Sequence, residues 1–165
     1  MLERKRKLDC ANGREKADLV LKNGNVLNVF TEEVLKADVA ICGDTIVGVG
    51  EYEGKEEIDC TGKYLVPGFI DAHMHIESCM AAPGELAKVL AKAGTTTIIA
   101  DPHEIVNVSG TKGMDYFLKC AAKLLVNVFF MVPSAVPATD VETNGCGEFL
   151  ASDMMKYVDN ARVLG

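Results

Sequence analysis

Two of the three histidines in this chain are spaced in a way that can bind a metal ion. His73 and His75 stand directly after an apolar segment that begins at Phe69-Ile70. In an extended strand, residues at positions i and i+2 point to the same side. At the carboxyl end of a parallel strand, two neutral imidazoles on one side can bind a single divalent metal ion. We therefore predict that both are metal ligands, against the alternative that they are ordinary polar residues at a strand end.

Carboxylates flank this pair on both sides. Asp71 precedes the two histidines and Glu77 follows them. A carboxylate that accepts a hydrogen bond from a ligand imidazole fixes its tautomer and orientation. We predict this role for Asp71 and Glu77, with an exposed loop carboxylate as the alternative for either.

The third histidine follows the next strand along the chain. His103 lies in the segment Asp101-Pro102-His103-Glu104, after the β-branched run Thr95–Ile99. Because parallel strands end at one edge of a sheet, we expect all three histidines to converge there, although Asp-Pro also favours an ordinary turn. Ser134 follows the third strand in the same way, and both substrate contact and a rigid loop are open for it.

The residues before Pro67 predict a small β-rich domain. Short strands separated by turn residues are expected at 18–21, 26–30, 38–41 and 45–49. Asn23-Gly24 and Gly43-Asp44 can adopt the positive φ angles that tight reversals require. This pattern is typical of a β-meander or a small sandwich.

After Pro67-Gly68 strands and helices alternate. Strands are expected at 69–70, 95–99, 126–132 and 162–165, with helices at 83–93 and 112–125, a polar loop from Asp101 and a short late helix that Ser152 can cap. This order predicts an α/β fold with a parallel sheet and right-handed crossovers. Periodicity alone leaves open an open doubly wound sheet and part of a barrel.

The composition indicates a folded protein and excludes several functional classes. With 48% hydrophobic residues, 25% charged residues and a mean hydropathy of +0.13, the chain can form a substantial core. A net charge of -7 and a pI near 5.0 argue against nucleic-acid binding. The sequence contains no apolar stretch of roughly 18 residues, so no membrane span is predicted. We therefore expect a cytoplasmic protein without membrane or nucleic-acid partners.

The basic run at the start of the chain and the cysteines suggest no site. We predict that residues 1–16, including Arg4–Lys7, are a solvated, flexible segment. The six cysteines contain no CxxC pair, so free thiols are expected rather than a zinc knuckle.

Three sequence blocks resemble the adenine deaminase family of the amidohydrolase superfamily. They are VPGFIDAHMHIES at 66–78, ADPHEIVNV at 100–108 and VPSAVPA at 132–138. The first block is shared across the superfamily, and the other two narrow the resemblance to adenine deaminases. It covers the chain from about Ala17 to Gly165.

The resemblance implies a (β/α)8 TIM barrel with a small β-sandwich built from both chain ends. The 165 residues are fewer than the roughly 250 of a closed barrel. We therefore expect a flexible segment at 1–16, the N-terminal part of the sandwich at 17–66, and a partial barrel at 67–165. The partial barrel would contain about three βα units and the start of the fourth strand.

The resemblance also implies hydrolytic deamination of adenine to hypoxanthine and ammonia, in purine salvage. His73 and His75 match metal ligands, and the centre would be binuclear in the full-length enzyme, with manganese, iron or zinc. We assign a catalytic substrate- or proton-handling role to His103 and Glu104. Asp71, Glu77, Asp101 and Ser134 would hold the ligands or contact adenine. The full-length enzyme is expected to be a homo-oligomer.

In the family pattern, a bridging carboxylate, further histidines and a proton-handling aspartate follow the position of Gly165. We therefore predict that this chain is inactive alone. Two alternatives remain open, namely a non-catalytic half-barrel module and an amidohydrolase that acts on another cyclic amide or nucleobase.

Overall fold

The computed structural model describes residues 2–134, 136–142, 145 and 148–165, and the chain divides into two compact units, Met1–Pro67 and Gly68–Gly165. The elements of the first unit are α1 Leu2–Ala11, β1 Ala17–Asn28, β2 Glu33–Cys42, β3 Thr45–Gly50, β4 Gly54–Asp59 and β5 Tyr64–Leu65. Those of the second are β6 Phe69–Met74, a 3-10 turn Glu77–Cys79, α2 Pro83–Lys92, β7 Thr95–Ala100, α3 His103–Ser109, α4 Thr111–Ala121, β8 Asn127–Phe130 and α5 Ala151–Met154.

The first unit contains one five-stranded mixed sheet. Its order is β3-β2-β1-β4, and β5 also pairs with β1. The pairs β1–β2 and β2–β3 are antiparallel, as in the predicted meander, whereas β4 and β5 run parallel to β1. The second layer that a sandwich needs is not formed by the described residues of this unit, so the sandwich stays a prediction.

One of the two predicted reversals is wrong. β1 runs without a break through Asn23-Gly24, where the pairing with β2 shifts in register. Asn23 has a φ of 60°, but its backbone N–H donates to Asp38 across the sheet, so the positive angle produces a β-bulge rather than a hairpin. The other reversal is confirmed, because Gly43, with φ 61°, begins the two-residue turn between β2 and β3.

A nearly buried ion pair stabilises the sheet. The Asp38 side chain, only 8% exposed, accepts hydrogen bonds from Lys22 Nζ at 2.5 Å and from the backbone N–H of Asn23 and Tyr52. Burial raises the pKa of Asp38, but these three donors outweigh it and hold the pKa below its ordinary value. A carboxylate with a lowered pKa stabilises the fold only while it is ionised.

We expect the Asp38→Asn variant to lose about 2 kcal/mol of unfolding free energy at pH 7, because the charge-assisted hydrogen bonds are weakened. The stabilisation by Asp38 is present above its unfolded pKa of about 3.9 and is lost as the pH falls through the lower folded value. The difference between variant and wild type should therefore shrink on acidification. Urea unfolding at several pH values measures it, with the exposed Glu33→Gln as control. A gap that stays constant down to pH 2 would contradict this account.

The N-terminus differs from the flexible segment predicted for residues 1–16. Residues Leu2–Ala11 form helix α1, which makes ion pairs with β1 and with the turn between β2 and β3. Arg6 pairs with Asp18, and Lys7 Nζ lies 2.8 Å from Asp44 Oδ1. This helix could not be predicted from the sequence because α1 has no apolar stripe and its acidic partners lie 12 and 37 residues further along the chain.

The second unit contains a three-stranded parallel sheet in the order β6-β7-β8. Helix α2 connects β6 to β7, and α3 and α4 connect β7 to β8, as the alternating pattern predicts. The strand expected at 162–165 is reduced to a single parallel bridge between Val163 and Phe130. Its backbone still hydrogen-bonds along β8, since Phe130 N–H donates to Arg162 O and Leu164 N–H donates to Phe130 O.

The core of this unit lies between the sheet and its helices. Its most deeply buried side chains come from β7, β8, α3, α4 and the loop after β6: Phe130, Ile76, Ile98, Met114, Val106 and Val128. Phe130 stacks on Phe117 of α4 with ring centroids 6.1 Å apart. These contacts fix the strand ends, where the polar residues of the loops are located.

Two local predictions in this unit are wrong. The polar loop expected from Asp101 contains helix α3, which forms although it is rich in β-branched residues, because Val106 on it is completely buried. Ser152 does not cap α5. The residue before that helix is Leu150, whose N–H donates to Asp153 Oδ2 at 3.1 Å. None of the helices in the described part of the chain is long and apolar enough to cross a membrane.

Candidate metal centre

The end of strand β6 brings the two closely spaced histidines together. His73 lies in the strand and His75 follows its last residue, Met74. The two Nε2 atoms are 3.3 Å apart, and the ring centroids are separated by 5.2 Å. The expectation that residues at i and i+2 share a side of the strand agrees with this geometry, and both imidazoles can reach one ion.

Asp101 completes the group. It follows the last residue of β7, and its backbone N–H donates to Met74 O at 2.9 Å, which places it beside the end of β6. Each of the three residues His73, His75 and Asp101 offers one ligand atom, and these three atoms all lie within 4.8 Å of one another. Asp101 Oδ1 is buried and has no hydrogen-bond partner among the described residues. A buried, unpartnered carboxylate oxygen beside two imidazoles is the arrangement that a cation would neutralise.

The donor set fits a divalent metal. Two imidazole nitrogens and a carboxylate oxygen suit zinc, iron and manganese better than the calcium or magnesium sites built from oxygen alone. Three protein ligands also leave positions for water and substrate, as in catalytic sites. The residues that would hold the metal are His73, His75 and Asp101.

Glu104 fixes the orientation of His75. Its Oε2 lies 2.9 Å from His75 Nδ1, and its Oε1 accepts a hydrogen bond from Ser78 Oγ at 3.0 Å. Because an ionised carboxylate can only accept, Nδ1 carries the proton and Nε2 is left with a free lone pair. Burial raises the pKa of Glu104, but its own backbone N–H, Ser78 and His75 outweigh this and lower the pKa, which keeps the group ionised.

The flanking carboxylates contact backbone rather than imidazole. Asp71 Oδ1 accepts a hydrogen bond from the backbone N–H of His73 at 3.1 Å, which shapes the strand end. Glu77 Oε1 accepts the backbone N–H of Ile105 at 3.0 Å, and its Oε2 is buried without a partner among the described residues. Burial raises the pKa of Glu77 above its ordinary value. In the structure, Glu104 therefore makes the imidazole contact that we predicted for Glu77.

His103 and Ser134 lie outside the ligand group. His103 is the first residue of α3 and is half-buried, and among the described residues the cluster contains Asp101 in its place. His103 is therefore not among the described ligand groups, and the substrate- or proton-handling role expected for it at the same edge of the sheet stays a prediction. Ser134 is exposed in the loop after β8. Ser78 was not singled out from sequence, since a lone serine carries no signal of its own.

We expect the Glu104→Gln variant to bind Zn²⁺ about 10-fold more weakly than wild type, because a neutral amide supports the His75 tautomer less well. Equilibrium dialysis of the purified chain against Zn²⁺ measures the dissociation constant. Glu85→Gln is the matched control, because Glu85 is an exposed residue of α2 that pairs with Lys88. Equal affinities of wild type and Glu104→Gln would show that Glu104 does not support a ligand.

Comparison with known proteins identifies the family to which this chain belongs. The model of the amidohydrolase family matches residues 64–162, which include the whole candidate metal centre. The chain belongs to the amidohydrolase family. It is 58% identical to adenine deaminase of Desulfitobacterium hafniense over 153 residues, and 50% identical to adenine deaminase of Clostridium acetobutylicum over 159 residues. The resemblance to adenine deaminases inferred from the sequence blocks is confirmed.

These alignments cover 93% and 96% of this chain but only 27% and 28% of the two relatives. Solved structures agree on the fold. N-acyl-D-glutamate deacylase from Bordetella bronchiseptica, complexed with zinc, matches with a TM-score of 0.58 and 20% identity, over 74% of this chain and 30% of that one. A D-aminoacylase matches with a TM-score of 0.55 and 25% identity, over 73% of this chain and 30% of that one. The chain is thus similar to the N-terminal part of much longer adenine deaminases.

Proposed function

We propose that this chain forms the N-terminal part of a metal-dependent hydrolase that deaminates adenine to hypoxanthine and ammonia. The observation that carries the proposal is the 58% identity to an adenine deaminase over a segment that includes the His73, His75 and Asp101 cluster. At this identity, a substrate class is more often shared than at the level of fold alone.

Three residues are assigned to metal binding, and a fourth orients one of these ligands. His73, His75 and Asp101 bind the divalent metal, and Glu104 holds His75 with Nε2 directed to it. When bound, such a metal activates water as a nucleophile at neutral pH. Asp71 shapes the strand end through the backbone of His73. Deamination requires attack at C6 of the purine and protonation of the departing amine, which is released as ammonia.

Substrate contact is proposed for the residues that follow the strand ends without joining the cluster. His103 follows β7 and Ser134 follows β8, which puts both after the carboxyl ends of parallel strands. His103 can donate or accept at a purine nitrogen, and it can also transfer a proton. Glu104 is bound to His75 in the structure, so we assign it to positioning rather than to proton transfer.

We infer that residues 67–165 are the first part of a (β/α)8 barrel, supported by the parallel order β6-β7-β8 and the bridge from Phe130 to Val163. Residues 17–66 would be one part of a sandwich. A binuclear centre of manganese, iron or zinc is proposed from the resemblance and from a D-aminoacylase neighbour described as having a binuclear metal centre. Purine salvage, a cytoplasmic location and a homo-oligomeric enzyme remain predictions.

The test compares this 165-residue chain with the polypeptide encoded by the complete reading frame, both loaded with Mn²⁺. The longer polypeptide should convert adenine to equal amounts of hypoxanthine and ammonia, whereas the 165 residues alone should give no turnover, since they correspond to only 27% and 28% of the length of the two relatives. Cytosine and dihydroorotate serve as comparison substrates. Faster turnover of either would favour an amidohydrolase with another substrate, and adenine turnover by the 165 residues would overturn the prediction that they are inactive alone.

A non-catalytic half-barrel module is the second candidate. It is favoured by the exposure of Phe69 and Ile70 on β6, at 68% and 66% of their surface, at one edge of the parallel sheet. Such an edge favours association between copies. Light scattering that shows a stable monomer at high concentration would exclude this candidate.

A further inference from the structure

Two buried cysteines of the first unit are in contact. Cys10 lies in α1 and Cys42 is the last residue of β2, and each is 1% exposed. Their Sγ atoms are 3.5 Å apart, and Cys10 Sγ also lies 3.6 Å from the backbone oxygen of Lys16. Both are free thiols in the structure. Neither belongs to the metal centre or to any motif of the proposed enzyme.

The distance between the sulfur atoms is close to that required for a bond. A disulfide has an S–S length of about 2.05 Å, so the two atoms need to approach by about 1.5 Å. Rotation of the cysteine side chains can supply a movement of this size. Helix α1 is joined to the sheet by the ion pairs of Arg6 and Lys7 and by a hydrogen bond from Tyr52 Oη to Ala11 O. The link would close a loop between the N-terminal helix and the end of β2.

We propose that Cys10 and Cys42 are a site of reversible disulfide formation, in which a low-molecular-weight disulfide such as oxidised glutathione is the oxidant. The Cys10 thiolate attacks the oxidant, forms a mixed disulfide and releases one glutathione thiolate. The Cys42 thiolate then attacks the Cys10 sulfur and releases the second. Two protein thiols are oxidised to one disulfide, and oxidised glutathione is reduced to two thiols. The two protons that the cysteines lose are taken up by the two glutathione thiolates, so there is no net release of protons.

Undocking of α1 controls the rate of this reaction. Burial and the neighbouring Cys42 raise the pKa of the Cys10 thiol to about 11, so the closed state holds little thiolate at neutral pH. The helix is polar, and it is held to the sheet by Arg6–Asp18 and Lys7–Asp44. Local opening at a chain terminus needs little free energy compared with global unfolding. Opening exposes Cys10, and reclosure brings its sulfur back to Cys42.

The site is tested by incubating the native 165-residue chain with oxidised glutathione, quenching free thiols and mapping tryptic peptides by mass spectrometry. Wild type should yield residues 8–14 linked to residues 37–55, with a loss of about 2 Da, and dithiothreitol should reverse it. Cys10→Ser and Cys42→Ser should lack this link, whereas the control Cys120→Ser should form it as wild type does. Circular dichroism checks that the variants are folded.

Recovery of Cys10 and Cys42 as free thiols, or as separate glutathione adducts, would overturn the proposal, because wild type then contains the pair but does not close it. Control of the rate by undocking of α1 is tested separately. Arg6→Gln should form the link several-fold faster than wild type, while Arg4→Gln, at an exposed position of the same helix, should match wild type. Equal rates for all three would contradict control by α1.

Discussion

A His75→Ala substitution is expected to weaken Zn²⁺ binding by the chain about 100-fold or more, since even residues that only support a ligand contribute 10- to 100-fold to metal affinity. The variant loses one of three ligands and also leaves the carboxylate of Glu104 without its imidazole partner. His73→Ala should have a similar effect, because its Nε2 lies 3.3 Å from that of His75. Isothermal titration with Zn²⁺ measures both dissociation constants.

The third histidine provides a matched control for this experiment. His103 has the same side chain, lies after the neighbouring strand and is outside the cluster of described ligand groups. His103→Ala should keep the Zn²⁺ affinity within about 3-fold of wild type, which is below the 10- to 100-fold effect of residues that support a ligand. If His103→Ala lost affinity as strongly as His75→Ala, the ligand set would have to be revised.

Phe130→Ala should lower the unfolding free energy of the second unit by about 3–5 kcal/mol, the usual cost of removing a buried aromatic side chain. Phe130 is 0% exposed, stacks on Phe117 of α4 and lies opposite Ala100 in the pairing of β7 with β8. Its removal leaves a cavity between sheet and helix, which the neighbouring strands cannot fill without losing their register. Urea denaturation followed by circular dichroism measures the change.

An exposed phenylalanine on the same sheet serves as the comparison. Phe69 on β6 is 68% exposed, so Phe69→Ala should cost less than about 1 kcal/mol. Equal destabilisation by the two variants would mean that the core is not centred on Phe130. Because an effect of this size is a large fraction of a domain's stability, Phe130→Ala should also unfold at clearly lower temperature.

Most of the elements could be predicted from local chemistry, and the exceptions have identifiable causes. Pro83 and Gly94 mark the limits of α2 because proline fits a helix start and glycine adopts the positive φ, here 87°, that follows a helix end. Asn23-Gly24 led to the wrong prediction of a reversal because a positive φ angle occurs both in hairpin turns and in β-bulges. The choice between them depends on Asp38 in the partner strand, which is remote in sequence.

The candidate site was predictable where spacing carries the information. His73 and His75 share one strand end, so a two-residue period suffices to bring them together. Ser78 and Glu104 required knowledge of distances between segments, since their contact joins the loop after β6 to helix α3. Asp101 was singled out for its position after β7, but only its buried, unpartnered oxygen shows that it can be a ligand.

The cluster of His73, His75 and Asp101 lies within the single β6–α2–β7 segment that spans residues 69–101. A nascent chain therefore acquires these three groups early, before the residues that follow have been synthesised. If the segment folds as it emerges from the ribosome, these three side chains come together without any contribution from residues after position 101.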